Sequence, residues 1–195
     1  MYNSIAFRLF LALSLCAAPL AAHADAITYT VTSTASGSLD GTSFSNALVT
    51  ITGSADTSNI TSPIAGIYLS DLTTTVSVAG VGSDTLTDTI HVVSNQLNPV
   101  GGFGDVSTNS ALLFAVNSAF SSYDLSTAFG PVSGLASYNA GAGYATTSGS
   151  FVIDSASGAT FVATAAAPAI PEPSSLLLLT TGVMGVAGAV KRKLA

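Results

Sequence analysis

From Ile27 to Thr32 the chain alternates strictly, with Ile27, Tyr29 and Val31 interleaved with Thr28, Thr30 and Thr32. A period of two puts one set on each face of a half-buried strand, and β-branched threonine suits a pleated surface. The same habit recurs at residues 47–52 (Leu48, Val49 and Ile51), 74–81, 86–93, 112–116, 150–154 and 159–164. Ser155-Ala156-Ser157-Gly158 reads as a short hairpin loop between the last two runs. Tight turns are signalled at Leu39-Asp40-Gly41 and Gly82-Ser83-Asp84. Short strands recurring every 10 to 16 residues or so predict an all-β body, an antiparallel β-sandwich or jelly roll. Residues 117–146 carry less pattern and read as a long loop, with one helical turn near residues 112–120.

Charge narrows the function. The basic residues are Arg8, Lys191, Arg192 and Lys193, so nothing between Arg8 and Lys191 is a cation. A body with no cation cannot neutralise phosphate backbones, which excludes nucleic-acid binding as a main function. Lys/Arg phosphate clamps and lysine Schiff-base chemistry are excluded with it. Residues 25–170 hold nine Asp, 24 Ser and 21 Thr among 146 residues, for a formal charge of −9. So few charges, set among frequent Val, Ile, Leu and Phe, argue for a folded domain rather than an acidic disordered tail.

Residues 1–24 read as a secretory signal peptide. Arg8 supplies the positive start, residues 9–20 are mostly apolar, and Ala22 and Ala24 occupy the −3 and −1 positions for signal peptidase. Cleavage there leaves Asp25 as the new N-terminus. A lipoprotein reading at Cys16 fails because Leu15 stands where a small residue is needed. With Cys16 removed, the exported protein has no thiol and no disulfide.

The other end carries an ordered set of signals: an Ala/Pro linker at 165–170, then Pro171-Glu172-Pro173, then uncharged residues 174–190. Lys191, Arg192 and Lys193 close it as a stop and topology signal. Seventeen helical residues cover about 25 Å, near the lower limit for a transmembrane helix. The basic tail should stay cytoplasmic, leaving the body, residues 25–164, outside the inner membrane. Two prolines discourage helix and keep residues 171–173 extended and open to a peptidase.

This tail, from Pro171-Glu172-Pro173-Ser174-Ser175 through the Leu176-Leu177-Leu178-Leu179 run to the basic cluster, resembles the PEP-CTERM sorting signal of Gram-negative bacteria. The resemblance covers about 25 residues at the end of the chain. It implies recognition by an exosortase, a membrane-embedded cysteine peptidase or transpeptidase that cuts near the motif. It also implies delivery, by way of an inner-membrane-anchored intermediate, to the cell surface or the extracellular polysaccharide matrix. The stretch from Tyr29 to Ile51 is similar, more loosely, to the bodies of many PEP-CTERM proteins, and assigns no activity.

Little in the body points to catalysis. Asp40, Asp56, Asp71, Asp84, Asp105 and Asp154 sit beside Gly, Ser or Thr, as Asx-turn and cap residues do. Asp84 and Asp88 are weak calcium candidates, separated by Thr85-Leu86-Thr87 and lacking the alternating ligand spacing of a calcium loop. His91 is the body's only histidine and lies in an apolar run, where a satisfied polar residue is expected rather than a base. The body has no Gly-x-Ser-x-Gly elbow, no second His for zinc and no Glu for a glycosidase pair. The Gly-rich segment 98–105 lacks the lysine of a phosphate loop and reads as a turn.

The expectation is therefore an exported structural or adhesive protein associated with exopolysaccharide or biofilm, with no catalytic residue and no cofactor. The alternative is a carbohydrate- or calcium-binding surface module using loop aspartates and the aromatics Tyr68, Phe103, Tyr123, Tyr138 and Tyr144. Expected partners are signal peptidase, exosortase, the inner membrane transiently, and exopolysaccharide.

Overall fold

A computed structural model describes residues 26–166, with Gly182 alone beyond them. The signal peptide, the sorting motif at 171–173, the apolar segment 174–190 and the basic tail lie outside the described residues. Among the described residues, no helix is long and apolar enough to cross a membrane.

The strands are β1 (Ala26–Leu39), β2 (Thr42–Asp56), β3 (Thr61–Ile64), β4 (Ile67–Asp71), β5 (Thr74–Val78), β6 (Gly82–Thr85), β7 (His91–Asn95), β8 (Val100–Asp105), β9 (Ser110–Val116), β10 (Phe129–Ser137), β11 (Gly143–Ala145) and β12 (Ser150–Ala165). Two short 3-10 turns, Thr57–Asn59 and Ser118–Ser122, are the helical elements within residues 26–166. The all-β, antiparallel character expected from the alternation is present throughout.

Rather than two separate sheets, the strands form one curled sheet in the order β3-β4-β7-β8-β9-β10-β12-β1-β2-β5-β6, with β11 also on β12. β10 makes this possible. Its first half pairs with β12 (Val132 opposite Phe161), and its second half pairs with β9 (Ala136 opposite Ala115). A strand that changes partner along its length turns a sheet corner. At the far side, Leu86 bridges Thr146, the Thr87 N–H donates to the Ala145 carbonyl at 2.9 Å, and the Thr147 N–H donates to that of Thr85 at 3.0 Å. These bonds bring the chain beyond β6 back against the chain beyond β11, so the sheet curls into a half-barrel.

The inward face of the alternation builds the core. Tyr29, Val31, Val49, Ile51, Val76, Phe103, Phe151 and Phe161 are fully buried. The link from β9 to β10 fills the inside of the curl with Phe120, Tyr123 and Leu125. Tyr123 stacks on Phe129 with centroids 4.1 Å apart, and Phe120 meets Phe161 edge-on at 5.4 Å. Such pairs add about 0.5–1.5 kcal/mol each beyond the area they bury. The Tyr29 hydroxyl donates to the Leu125 carbonyl at 2.7 Å, and burial with nearby Asp124 pushes its pKa up to about 12.

Five local expectations are corrected. Residues 155–158 are not a hairpin loop but part of the continuous strand β12. Ser155, Ala156 and Ser157 pair with Ser36, Ala35 and Thr34 of β1, a bulge falls between Ser157 and Thr160, and the Ser33 hydroxyl donates to the Gly158 carbonyl at 2.6 Å. Gly82-Ser83-Asp84 is strand β6, the turn falling earlier at Gly80, where φ is +81°. The run 86–93 is split, because β6 ends at Thr85 and β7 starts at His91. Residues 100–105 are strand β8, whose glycines allow close approach. A β-carbon on Gly101 would overlap the Phe120 ring, and one on Gly102 would overlap the β9 backbone at Leu113. Residues 117–146 contain β10 and β11, whose small and polar residues hide the period that their pairing enforces. The turn at Asp40-Gly41 stands as expected, with both residues at positive φ, 52° and 79°, as a type I′ hairpin requires.

Removing the Phe161 ring should cost about 3–5 kcal/mol of stability, because it contacts several aromatics at once. Tyr29→Phe should cost about 1–2 kcal/mol by orphaning the Leu125 carbonyl. Urea unfolding of both variants measures the two values, and a larger loss for Tyr29→Phe than for Phe161→Ala would contradict this packing.

Candidate functional site

The carboxylates were the main chemical candidates of the body, and the structure gives most of them the same work. Asp105 closes the β8–β9 turn, accepting from the Ser107 N–H at 2.8 Å and hydroxyl at 2.6 Å, and from the Thr108 hydroxyl at 2.7 Å. Asp124 holds Ser126 in the same manner, and Asp56 caps the first 3-10 turn through the Ser58 N–H at 2.7 Å. Hydrogen bonds to the charged form favour it, so all three carboxyls sit below their ordinary pKa. The Ser107 hydroxyl is the largest cause for Asp105, Ser126 for Asp124 and Ser58 for Asp56.

Three further aspartates converge on one segment, residues 145–149, at the end where the sheet curls back. Asp40 Oδ1 accepts from the Thr146 hydroxyl, and Asp84 Oδ1 from the Thr147 hydroxyl. Asp84 Oδ2 takes the Ser148 N–H at 2.9 Å, and Asp88 Oδ2 the Ala145 N–H at 2.7 Å. Thr146 in turn accepts from the Gly149 N–H at 2.9 Å, closing the network. The Thr147 hydroxyl is the largest reason that the Asp84 carboxyl lies far below its ordinary value. The backbone N–H groups of Thr85 and Ser148 add to it, against partial desolvation. The two calcium candidates, Asp84 and Asp88, thus both face this segment and spend oxygens on it. Among the described residues, no group of three or more His, Cys, Asp or Glu is placed to hold a metal. Strand alternation gave no hint of the segment; the run Thr146-Thr147-Ser148-Gly149, rich in short donors beside a turn, was the available signal.

His91 stands opposite Asp71 across β7 and β4, and its Nε2–H donates to Asp71 Oδ1 at 2.6 Å. Its Nδ1 is buried with no hydrogen-bond partner. The expected satisfied polar residue is therefore satisfied on one nitrogen only. Beside it, Asp71, Leu72, Thr73 and residues 86–90 line an open hollow of about 420 Å³, but His91 does not line it.

Three of the five aromatics considered for ligand contact belong to the interior. Phe103, Tyr123 and Tyr144 are buried, with ring faces that cannot meet a sugar. Tyr68 and Tyr138 are half-buried against the core, and the Tyr138 hydroxyl accepts from the Ala156 N–H at 3.1 Å. Stacking platforms thus give way to another surface, the outward face of β10, β12, β1, β2 and β5, where threonine and serine stand in cross-strand pairs. Thr28 and Ser54 are hydrogen-bonded at 2.7 Å, and Ser133 and Thr160 at 2.8 Å.

The sign of the aspartate shifts sets an acid response. A carboxyl whose folded pKa lies below its unfolded value, near 3.8 here, stabilises the fold above that value and ceases to do so as pH falls through the folded one. The melting temperature should hold from pH 7 to about 5 and fall below about pH 4. Asp84→Asn should melt lower at pH 7 and lose less on acidification. Thermal denaturation across pH 2–7 measures both, and an equal acid loss in the variant would contradict the assignment.

Comparison with curated proteins and with solved structures found no match. The informative match lies outside the described residues, where residues 169–193 fit the family model for the PEP-CTERM protein-sorting motif. The chain therefore carries a PEP-CTERM sorting signal at its C-terminal end, which implies an exported protein that an exosortase sorts to the cell envelope or surface.

Proposed function

We propose that this is a non-enzymatic component of the cell surface or extracellular matrix, structural or adhesive and associated with exopolysaccharide. On this reading signal peptidase frees Asp25, residues 174–190 hold the chain briefly in the inner membrane, and exosortase cuts near Pro171-Glu172-Pro173. The observation that carries the proposal is the order of the tail: an extended Pro-flanked motif, an uncharged run long enough to cross a bilayer, then three cations. The body supports it in a different way. Its acids are largely spent on holding turns, its one histidine donates to Asp71, and its outward strand faces carry hydroxyls rather than charge.

The alternative, a carbohydrate- or calcium-binding module, divides on the same observations. Its calcium half has little support, because Asp84 and Asp88 already accept hydrogen bonds from residues 145–148. Its carbohydrate half is supported by the hydroxyl face and is compatible with a matrix component.

Glu172→Ala and Pro173→Ala should each leave the chain in the inner membrane with residues 174–195 attached. The unaltered chain should be recovered outside that membrane without either terminal signal. Fractionation followed by intact mass of the product distinguishes the two, and normal release of either variant would overturn the proposal.

A further inference from the structure

The ladders align the outward residues of the curled sheet into rows that cross the strands. One row runs Ser133, Thr160, Thr32, Thr50, Ser77 and Ser83, each directly opposite the next from β10 to β6. A second runs Val162, Thr30, Thr52, Thr75 and Thr85, and a third Thr164, Thr28 and Ser54. None of these residues is ionisable, and all but Val162 bear a hydroxyl. Neighbours in a row stand about 4.8 Å apart and successive rows about 6.7 Å apart, so the first row is a track of about 24 Å. Bonds within rows, such as Thr30 to Thr52 at 3.5 Å, fix hydroxyls that each keep further donor or acceptor capacity for a ligand. The track opens at the β12 bulge into a trough of about 310 Å³, lined by Thr32, Thr34, Ser133, Ser157 and Thr160 together with the exposed side chain of Leu48.

We propose that this face is a binding track for a neutral polysaccharide chain, seated first in the trough and continuing along the hydroxyl rows. The proposal rests on the surface and matrix reading above and names its contact surface. Three features select the occupant. The face offers hydrogen bonds without charge, which matches a polyol, and a body with nine aspartates and no cation repels an anionic polymer. Strand twist turns the row by about 20–25° at each step, so a polymer can follow it while a flat crystalline surface cannot. A protein partner would look for a cluster of apolar anchors, whereas the rows hold Val162 alone and the trough adds the single side chain of Leu48.

The test is electrophoresis of the full chain through native gels containing dextran, xyloglucan or alginate, in a polyoxyethylene detergent that carries no sugar. At least one neutral gel should retard the protein, and alginate should not. Thr30→Val, Thr32→Val and Thr50→Val together should weaken retardation roughly tenfold or more, from the loss of three hydrogen bonds. Thr32→Val alone should weaken it less and guards against misfolding of the triple variant, whose melt is followed by circular dichroism. Ser121→Ala with Ser122→Ala, which removes exposed hydroxyls off the face, should leave retardation unchanged. Undiminished retardation of the folded face variants, equal retardation by alginate, or no retardation by either neutral gel would overturn the track. The export reading is scored separately by fractionation of Glu172→Ala, so a body that binds glycan but is released normally by that variant would retain the track and lose the sorting mechanism.

Discussion

Strand β1 is hydrogen-bonded along nearly its whole length on both sides, to β12 from Ile27 to Leu39 and to β2 from Ala26 to Leu39. A strand paired on both edges has no freedom to slip, because a shift of one residue would send Ile27, Tyr29 and Val31 to solvent and the threonines into the core. The rest of the body takes its register from that constraint. Inward, Tyr29 reaches across the curl to the Leu125 carbonyl and fixes the connection that carries Phe120 and Tyr123 into the core. Outward, the same register lines the threonines of β1 up with the hydroxyls of its neighbours.

A chain with no cation in its body must neutralise its acids differently from most proteins. Among the described residues, Asp71 with His91 is the sole pairing of a carboxylate with a side chain able to carry positive charge. Asp56, Asp84, Asp105 and Asp124 rely on hydroxyl and backbone N–H donors, which hold the charged form without a countercharge. The abundance of serine and threonine thus has two separate uses. Some close turns beside aspartate, as Ser107 and Thr108 do at Asp105, and some cover the sheet, as Thr30 and Thr52 do.

How much of this was legible in the sequence varied with the kind of interaction. The Ile27–Thr32 alternation and the Asp40-Gly41 turn were readable because each depends on neighbours along the chain. Strand β8 was not, since Gly101 and Gly102 look like a turn until Phe120 and the β9 backbone are seen to need their space. Residues 155–158 were misread for a related reason: only the continuous partner β1 shows that the chain goes on rather than turns back. Of the site residues, Asp56 and Asp105 were recognisable as turn aspartates from their Ser and Thr neighbours, whereas Asp124, flanked by Tyr123 and Leu125, was not, and Asp154, expected at a turn, lies within β12. The convergence of Asp40, Asp84 and Asp88 on residues 145–149 spans long sequence separations and leaves no local trace. The aromatics were misjudged because composition cannot tell a ligand platform from a core ring, as burial of Phe103 and Tyr144 makes plain.

The pairing of Ile27 with Ala165 also has a mechanical side. It sets the first and last strands of the body next to each other, so that the segments before β1 and after β12 leave from one end of the sheet. Tension arriving through the C-terminal side acts along the axis of β12, whose ladder bonds to β1 lie across that axis. Such a load shears many bonds together instead of peeling them one at a time. β10 and β11 hold the opposite edge of the same strand and share the force. Under a pull in that direction the ladder would carry the load while the core stays closed.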